Sequence, residues 1–213
     1  DEVTLVFDDG IKRLARVVNV EARQLELIEE LADNVELPVQ VTIASGFPKG
    51  DKLEFITQKV TELGASQIWA FPADWSVSKW DGKKLGKKVE KLEKIALGAA
   101  EQSKRNLVPS ITLFEKKADF LAQFGQFDRI VVAYEESAKE GEAVALIQSL
   151  TGLEAGSKLL FIFGPEGGLS PAEIESFTAK GALLAGLGPR ILRAETAPLY
   201  ALSAVSVVTE LMN

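Results

Sequence analysis

Hydrophobic positions follow two different rhythms along the chain. At the N-terminal end they alternate with polar ones. Val3, Leu5 and Phe7 lead into the turn residues Asp8, Asp9 and Gly10, and two more β-prone runs occupy 14–20 and 25–31. That pattern predicts a strand meander, part of a small β-barrel. Beyond Pro38 short apolar runs and longer amphipathic stretches take turns. Strands are predicted at 39–44, 68–71, 111–113, 130–133, 159–163 and 182–187, and helices at 51–63, 82–103, 118–124, 142–150, 171–179 and 197–211. In the first helix Phe55, Ile56, Val60 and Leu63 recur at helical spacing; in the long second one Leu85, Val89, Leu92, Ala96 and Ala99 form one stripe. Such alternation predicts an α/β fold with a largely parallel sheet.

Composition narrows the chemistry. Apolar residues make up 46% of the 213, enough for a sizeable core, yet no run is long enough to span a bilayer. The absence of cysteine excludes disulfides and thiolate zinc sites, and fits a cytoplasmic location. There is also no histidine, so a serine–histidine triad is impossible and the commonest metal ligand is missing. No metal is expected. Proton transfer must use carboxylate, lysine, tyrosine, arginine-assisted or water chemistry. The formal charge of −7 argues against a general nucleic-acid binder. The charge is uneven, however: residues 79–105 hold nine basic and four acidic side chains, a basic island suited to a confined RNA contact. Lys83, Lys84, Lys87, Lys88, Lys91 and Lys94 lie opposite the apolar stripe and read mostly as a solvated face. Arg105, beside Gln102 and Asn106, is the better RNA candidate. Trp69, Trp75 and Trp80 flank the island and read as packing residues before stacking ones.

Three predicted strands end in segments able to hold a ligand. The run 159–163 meets Gly164-Pro165-Glu166-Gly167-Gly168 and then Leu169-Ser170-Pro171-Ala172-Glu173. Ser170 and Glu173 have capping-box spacing, with Pro171 at the first helical position. A tight turn needs one glycine and the cap; three glycines with a proline and a carboxylate suggest backbone amides laid bare for a ligand. The loop lacks the Gly-Lys-Ser/Thr ending of a phosphate loop. A second segment runs from Leu187 and Gly188 through Pro189, Arg190, Ile191, Leu192, Arg193, Ala194 and Glu195 to Thr196, Ala197 and Pro198. It lacks the third glycine of a dinucleotide fingerprint, and Thr196 is placed to cap the closing helix. A third segment is Tyr134-Glu135-Glu136. Open α/β sheets bind ligands at such strand ends.

The two glycine-bearing segments resemble the signature loops of SPOUT methyltransferases. The string Leu187-Gly188 through Ile191-Leu192-Arg193 to Glu195-Thr196-Ala197, with Lys59, Glu62-Leu63-Gly64 and the run Glu101-Gln102-Ser103-Lys104-Arg105, is similar to the RsmE family, which makes 3-methyluridine in 16S ribosomal RNA. The resemblance covers residues 39–211. It implies a SPOUT α/β-knot fold, with a C-terminal trefoil knot in residues 37–213, preceded in residues 1–36 by part of a PUA-like RNA-binding β-barrel whose opening strands are absent. It implies S-adenosylmethionine as cofactor, held by Tyr134, Glu135, Gly164, Pro165, Glu166, Gly167, Gly168, Leu187, Gly188, Ile191, Leu192, Arg193, Glu195, Thr196 and Ala197. The expected partners are 16S ribosomal RNA or the small ribosomal subunit, and a second copy of the chain in a homodimer.

The reaction expected is in-line methyl transfer to the uracil imide nitrogen. Arg193 and Arg105 are the candidates for stabilising the uracil anion, with Gln102, Arg105 and Lys52 as substrate contacts; the proton acceptor stays open. Two alternatives remain: a ribose 2′-hydroxyl methyltransferase, for which Arg105 would have to activate the hydroxyl, and a non-catalytic assembly factor on the same fold. The closing helix is apolar around most of its circumference, which predicts a second buried side and hence a subunit contact.

Overall fold

The computed structural model describes residues 1–134 and 145–212. The predicted helix at 142–150 begins outside them and is described from Ala145. Two sheets form. The first is antiparallel, with β1 (Glu2–Val6), β2 (Lys12–Asn19) and β3 (Gln24–Leu31) in the order β1-β2-β3. Its faces stay largely in water: Val18, Val20 and Leu27 are all exposed.

The second sheet has six parallel strands: β4 (Gln40–Gly46), β5 (Gln67–Phe71), β6 (Ser110–Leu113), β7 (Arg129–Ala133), β8 (Lys158–Phe163) and β9 (Leu183–Ala185). Their order is β6-β5-β4-β8-β7-β9, so β8 is inserted between β4 and β7 and β9 lies outside β7. The helices are α1 (Lys52–Glu62), α2 (Gly82–Gln102), α3 (Lys117–Leu121), α4 (Ala145–Leu150), α5 (Pro171–Thr178) and α6 (Ala197–Ser206), which passes into a π-turn over Val207–Leu211.

Both faces of the parallel sheet are covered, as crossover helices require. On one face Val41, Ile43, Leu159 and Phe161 pack with Ile56 and Val60 of α1, Leu146 and Leu150 of α4, and Ala201, Leu202 and Val205 of α6. On the other, Ala44, Leu160 and Ile162 meet an aromatic cluster of Trp69, Phe71, Phe120, Phe124 and Phe177. The alternation along β8 therefore feeds two cores. Phe55 of the predicted apolar set in α1 is 44% exposed instead, and Leu53 is buried in its place. On α2 the stripe packs inward while the lysine face is solvated; Lys91 reaches Glu54 and Lys88 lies over the Trp80 ring.

The two sheets are pinned together at the end of α2. Arg105 is 5% exposed. Its Nε and one terminal nitrogen donate to the Glu36 carboxylate, and the other terminal nitrogen donates to the carbonyls of Thr61 (3.1 Å) and Ala65 (2.7 Å). Glu36 also accepts from the Asn106 and Leu107 amides, and the Asn106 side chain donates to the carbonyls of Gly10 and Asp33. Lys104, just before, is held at φ +56°, and this strained residue ends the turn out of α2.

Candidate active site

The parallel register brings the ends of β8, β7 and β9 side by side, so the three segments expected to hold a ligand issue from three adjacent strands. Tyr134 leaves β7 with its amide on the Ala185 carbonyl at 3.0 Å. Glu135, expected beside it, lies outside the described residues.

The loop after β8 is folded tightly on itself. The Gly168 amide donates to the Pro165 carbonyl at 2.8 Å, and Gly168 has φ +79°. A Cβ on Gly164 would stand 2.7 Å from the Gly168 carbonyl carbon, so the glycine is needed there for sterics alone. Pro165 seats against Gly46 at the end of β4. The capping box is present as expected: Ser170 Oγ accepts from the Glu173 amide at 3.2 Å, and Glu173 accepts from the Ser170 amide at 2.9 Å.

Glu173 does more than cap. It also accepts from the Asp74 amide at 2.9 Å and pairs with Lys117 at 2.5 Å. Asp74 in turn takes the Ser170 hydroxyl and the Lys117 ammonium. The Lys117 ammonium and the Ser170 hydroxyl hold the Asp74 carboxyl below its ordinary range. Asp74 and Lys117 carry no local signal in the sequence, for they lie 96 and 56 residues before their partners in the α5 cap and are joined only by the fold.

The loop after β9 starts with Leu187 buried and Gly188 at φ +82°, and Leu192 packs on the core. Ile191 is 79% exposed. Arg193 is exposed; its carbonyl accepts from the amides of Thr196 and Ala197, which turns the chain into α6. Thr196 does sit at the N-cap, but its side chain makes no capping bond, because the backbone there is already helical. That expectation is corrected.

Lys52, expected as a substrate contact, forms an ion-pair bridge between the loops. Its Nζ lies 3.0 Å from Glu166 and 3.1 Å from Glu195, one carboxylate from each loop. The Lys49 amide donates to Glu166 as well, at 3.0 Å. The two carboxylates, Glu166 first, hold the Lys52 ammonium above its ordinary 10.5. Burial pushes both glutamates up, but backbone amides and Lys52 outweigh it and hold both below 4.5, with Arg193 assisting at Glu195. The bridge therefore stays charged at neutral pH. Arg105, expected as an anion-stabilising and substrate-contacting group, is packed between α1 and Glu36, with its donors on protein acceptors. Gln102, at the last turn of α2, is exposed. Among the described residues no cluster of three acidic groups suits a metal ion, and no helix is long and apolar enough to cross a membrane.

These loops define a class. Residues 35–206 match the RNA methyltransferase domain family, and the chain belongs to it. The chain is 49% identical to the ribosomal RNA small subunit methyltransferase E of Bacillus subtilis, an alignment covering 100% of this chain and 84% of the relative. It is 31% identical to the Mycobacterium bovis protein of that name over 96% of this chain and 78% of the relative. Among solved structures, the Neisseria gonorrhoeae ribosomal RNA small subunit methyltransferase E bound to S-adenosylmethionine superposes with a TM-score of 0.82 at 26% identity, covering 98% of this chain and 83% of that one. Within the RNA methyltransferases, then, this is a chain of the methyltransferase E family.

Proposed function

We propose that the protein transfers a methyl group from S-adenosylmethionine to the imide ring nitrogen of a uridine in 16S ribosomal RNA, within the small ribosomal subunit. The carrying observation is the meeting of three loops at adjacent strand ends in a chain 49% identical to a ribosomal RNA small subunit methyltransferase.

The loops fit the cofactor's chemistry. Gly164, Gly167, Gly168 and Gly188 are assigned to the cofactor through their backbone groups; at Gly164 and Gly167 the side where a Cβ would stand is already filled by Gly168 and Trp75. The cation between the loops is already shared by two carboxylates, which suits a ligand with a positive sulfonium better than a phosphate. When bound, the cofactor supplies an electrophilic methyl group. Tyr134, Glu135, Pro165, Glu166, Leu187, Ile191, Leu192, Glu195, Thr196 and Ala197 complete the residues we assign to holding it. Arg193 is free of side-chain hydrogen bonds among the described residues and stands in the same loop. Its guanidinium would stabilise the uracil ring as the imide proton leaves and negative charge grows there. Arg105, the arginine that a ribose methyltransferase would need for activating the hydroxyl, is buried with its donors on protein acceptors, which favours the base over the ribose as acceptor.

The finer architecture belongs to the same proposal. We assign residues 1–36 to part of a PUA-like RNA-binding barrel and 37–213 to the methyltransferase domain. The chain leaves β9 at the sheet edge yet returns as α6 against α1 and β8, a path that supports a trefoil knot. The outer side of α6 and its π-turn leaves Tyr200, Val207 and Leu211 exposed at helical spacing, which supports a homodimer through that face. A ribosomal RNA substrate implies a cytoplasmic location. Mass-spectrometric mapping of 16S ribosomal RNA treated with enzyme and cofactor should find one added methyl on a uridine base. A methyl on ribose, or none, would overturn the reading.

A further inference from the structure

The three tryptophans have different surroundings. Trp69 is buried, with edge contacts to Phe114, Phe120 and Phe127. Trp80 lies 4.3 Å from the Phe47 ring and carries Lys88 above it. Trp75 is 49% exposed and, among the described residues, has neither a ring partner nor a cation. Yet it is not adrift. Asp74 before it is fixed by Ser170, Lys117 and Glu173. After it, the Ser76 amide donates to the Ala73 carbonyl at 3.0 Å, and the Ser78 hydroxyl to the Pro48 carbonyl at 2.9 Å. The Trp75 side chain is thereby set against the glycine loop. A Cβ on Gly167 would come within 3.1 Å of the Trp75 Cβ, and one on Gly168 within 4.0 Å of its ring.

We propose that the Trp75 indole is the surface on which the target uracil stacks before methyl transfer. The proposal rests on the reading of the protein as a uridine methyltransferase. An enzyme acting on one base of a folded RNA must unstack that base, and an aromatic side chain replaces the lost stacking. Such a platform must be wide, rigid, partly open to water and beside the methyl donor's site. Trp75 meets each condition: an indole held from both sides in sequence, half exposed, packed on the loop assigned to the cofactor. Burying the remaining face of the ring also removes apolar surface from water, which supplies affinity without sequence-reading hydrogen bonds.

Two variants test the proposal, Trp75→Leu and Trp75→Phe, each read three ways: S-adenosylmethionine affinity by calorimetry, affinity for a uridine-containing oligoribonucleotide, and methylation of 16S ribosomal RNA. Loss of one base–aromatic stack should weaken the oligonucleotide and lower kcat/KM on ribosomal RNA in Trp75→Leu by on the order of 10- to 100-fold. Cofactor affinity should stay within about twofold of the starting protein, and Trp75→Phe should recover most of the loss. Unchanged oligonucleotide affinity and methylation in Trp75→Leu would overturn the proposal. So would a parallel loss of cofactor affinity, which would make Trp75 a wall of the cofactor site. If the starting protein methylates no uridine, the functional reading falls, and the oligonucleotide affinities still decide whether Trp75 stacks a base.

Discussion

Arg105 and Arg193 stand in regions built on opposite terms. Around Arg105 the guanidinium is enclosed by Glu36 and the carbonyls of Thr61, Gly64 and Ala65, where α1, the end of α2 and the segment after β3 meet. Around Arg193 only the backbone is committed; the side chain is exposed, and its charge acts on Glu195. A cation with every donor satisfied inside the protein joins structural elements and has nothing left for a substrate. A cation with a fixed backbone and open donors is placed to meet charge that arrives later. The difference lies in burial and hydrogen-bond accounting, which residue type alone does not reveal.

The largest expected effect comes from breaking the first region. Arg105→Ala leaves the Glu36 carboxylate without its partner and several carbonyls unsatisfied, a loss of about 3–5 kcal/mol of stability. Thermal or urea unfolding would read it. At a temperature where the variant stays folded, its cofactor affinity should match that of the starting protein. A variant with unchanged unfolding but lost methylation would return Arg105 to the catalytic set.

Breaking the second region should do the reverse. Arg193→Ala should lower single-turnover methylation by on the order of a hundredfold, the usual effect of removing one donor to a developing anion. Calorimetry should find cofactor binding little changed, and the unfolding midpoint should hold. If cofactor binding fell instead, Arg193 would be a loop brace like Lys52.

Lys52 gives a smaller, intermediate effect. Lys52→Met leaves Glu166 and Glu195 facing each other without a cation, so the two loops should part and cofactor affinity should fall about three- to tenfold. Stability should move little, since an ion pair so near solvent contributes little to folding. Unaltered cofactor affinity would show that the bridge does not set the loop spacing.

These residues also mark what the sequence makes legible. The strand and helix order, the glycine loop and the Ser170–Glu173 cap are local patterns, and periodicity or fixed spacing carries them. The inward face of α1 was less clear, because Phe55 and Leu53 are both apolar and only packing against α2 selects Leu53. Nothing local pairs Glu36 with Arg105, Lys52 with Glu195, or Asp74 with Ser170. Each pair is 69 residues or more apart, and the crossover order of the sheet brings it together. For that reason sequence alone sets Arg105 beside Arg193 as an anion-stabilising candidate and Lys52 as a substrate contact, with nothing to show which donors the fold already uses.

The pH dependence gives the subtlest separation of the two regions. Folding holds Glu166 and Glu195 below 4.5, so their contribution is full above that value and is lost as pH falls through the lower folded values. Folding raises Lys52 above 10.5, so its contribution is full below that value and is lost as pH rises through the higher one. From about pH 5 to about pH 10 the bridge therefore keeps its charges, and the chain has no histidine to titrate in between. The bridge should thus add no pH dependence to cofactor affinity across that range, where the cofactor's own α-amino group, with an ordinary value of about 8, is left to titrate. The methylation rate at saturating cofactor should rise toward alkaline pH instead, because the uracil imide must lose its proton. If Arg193 stabilises the anion that results, Arg193→Ala should move that rise to higher pH, and Lys52→Met should leave its position unchanged. A limb in cofactor affinity between about pH 5 and about pH 7, below the range of the cofactor's α-amino group, would mean that another titrating group belongs to the binding site. A rate profile that Arg193→Ala lowers without shifting would mean that the guanidinium acts on the RNA elsewhere than at the ionising ring.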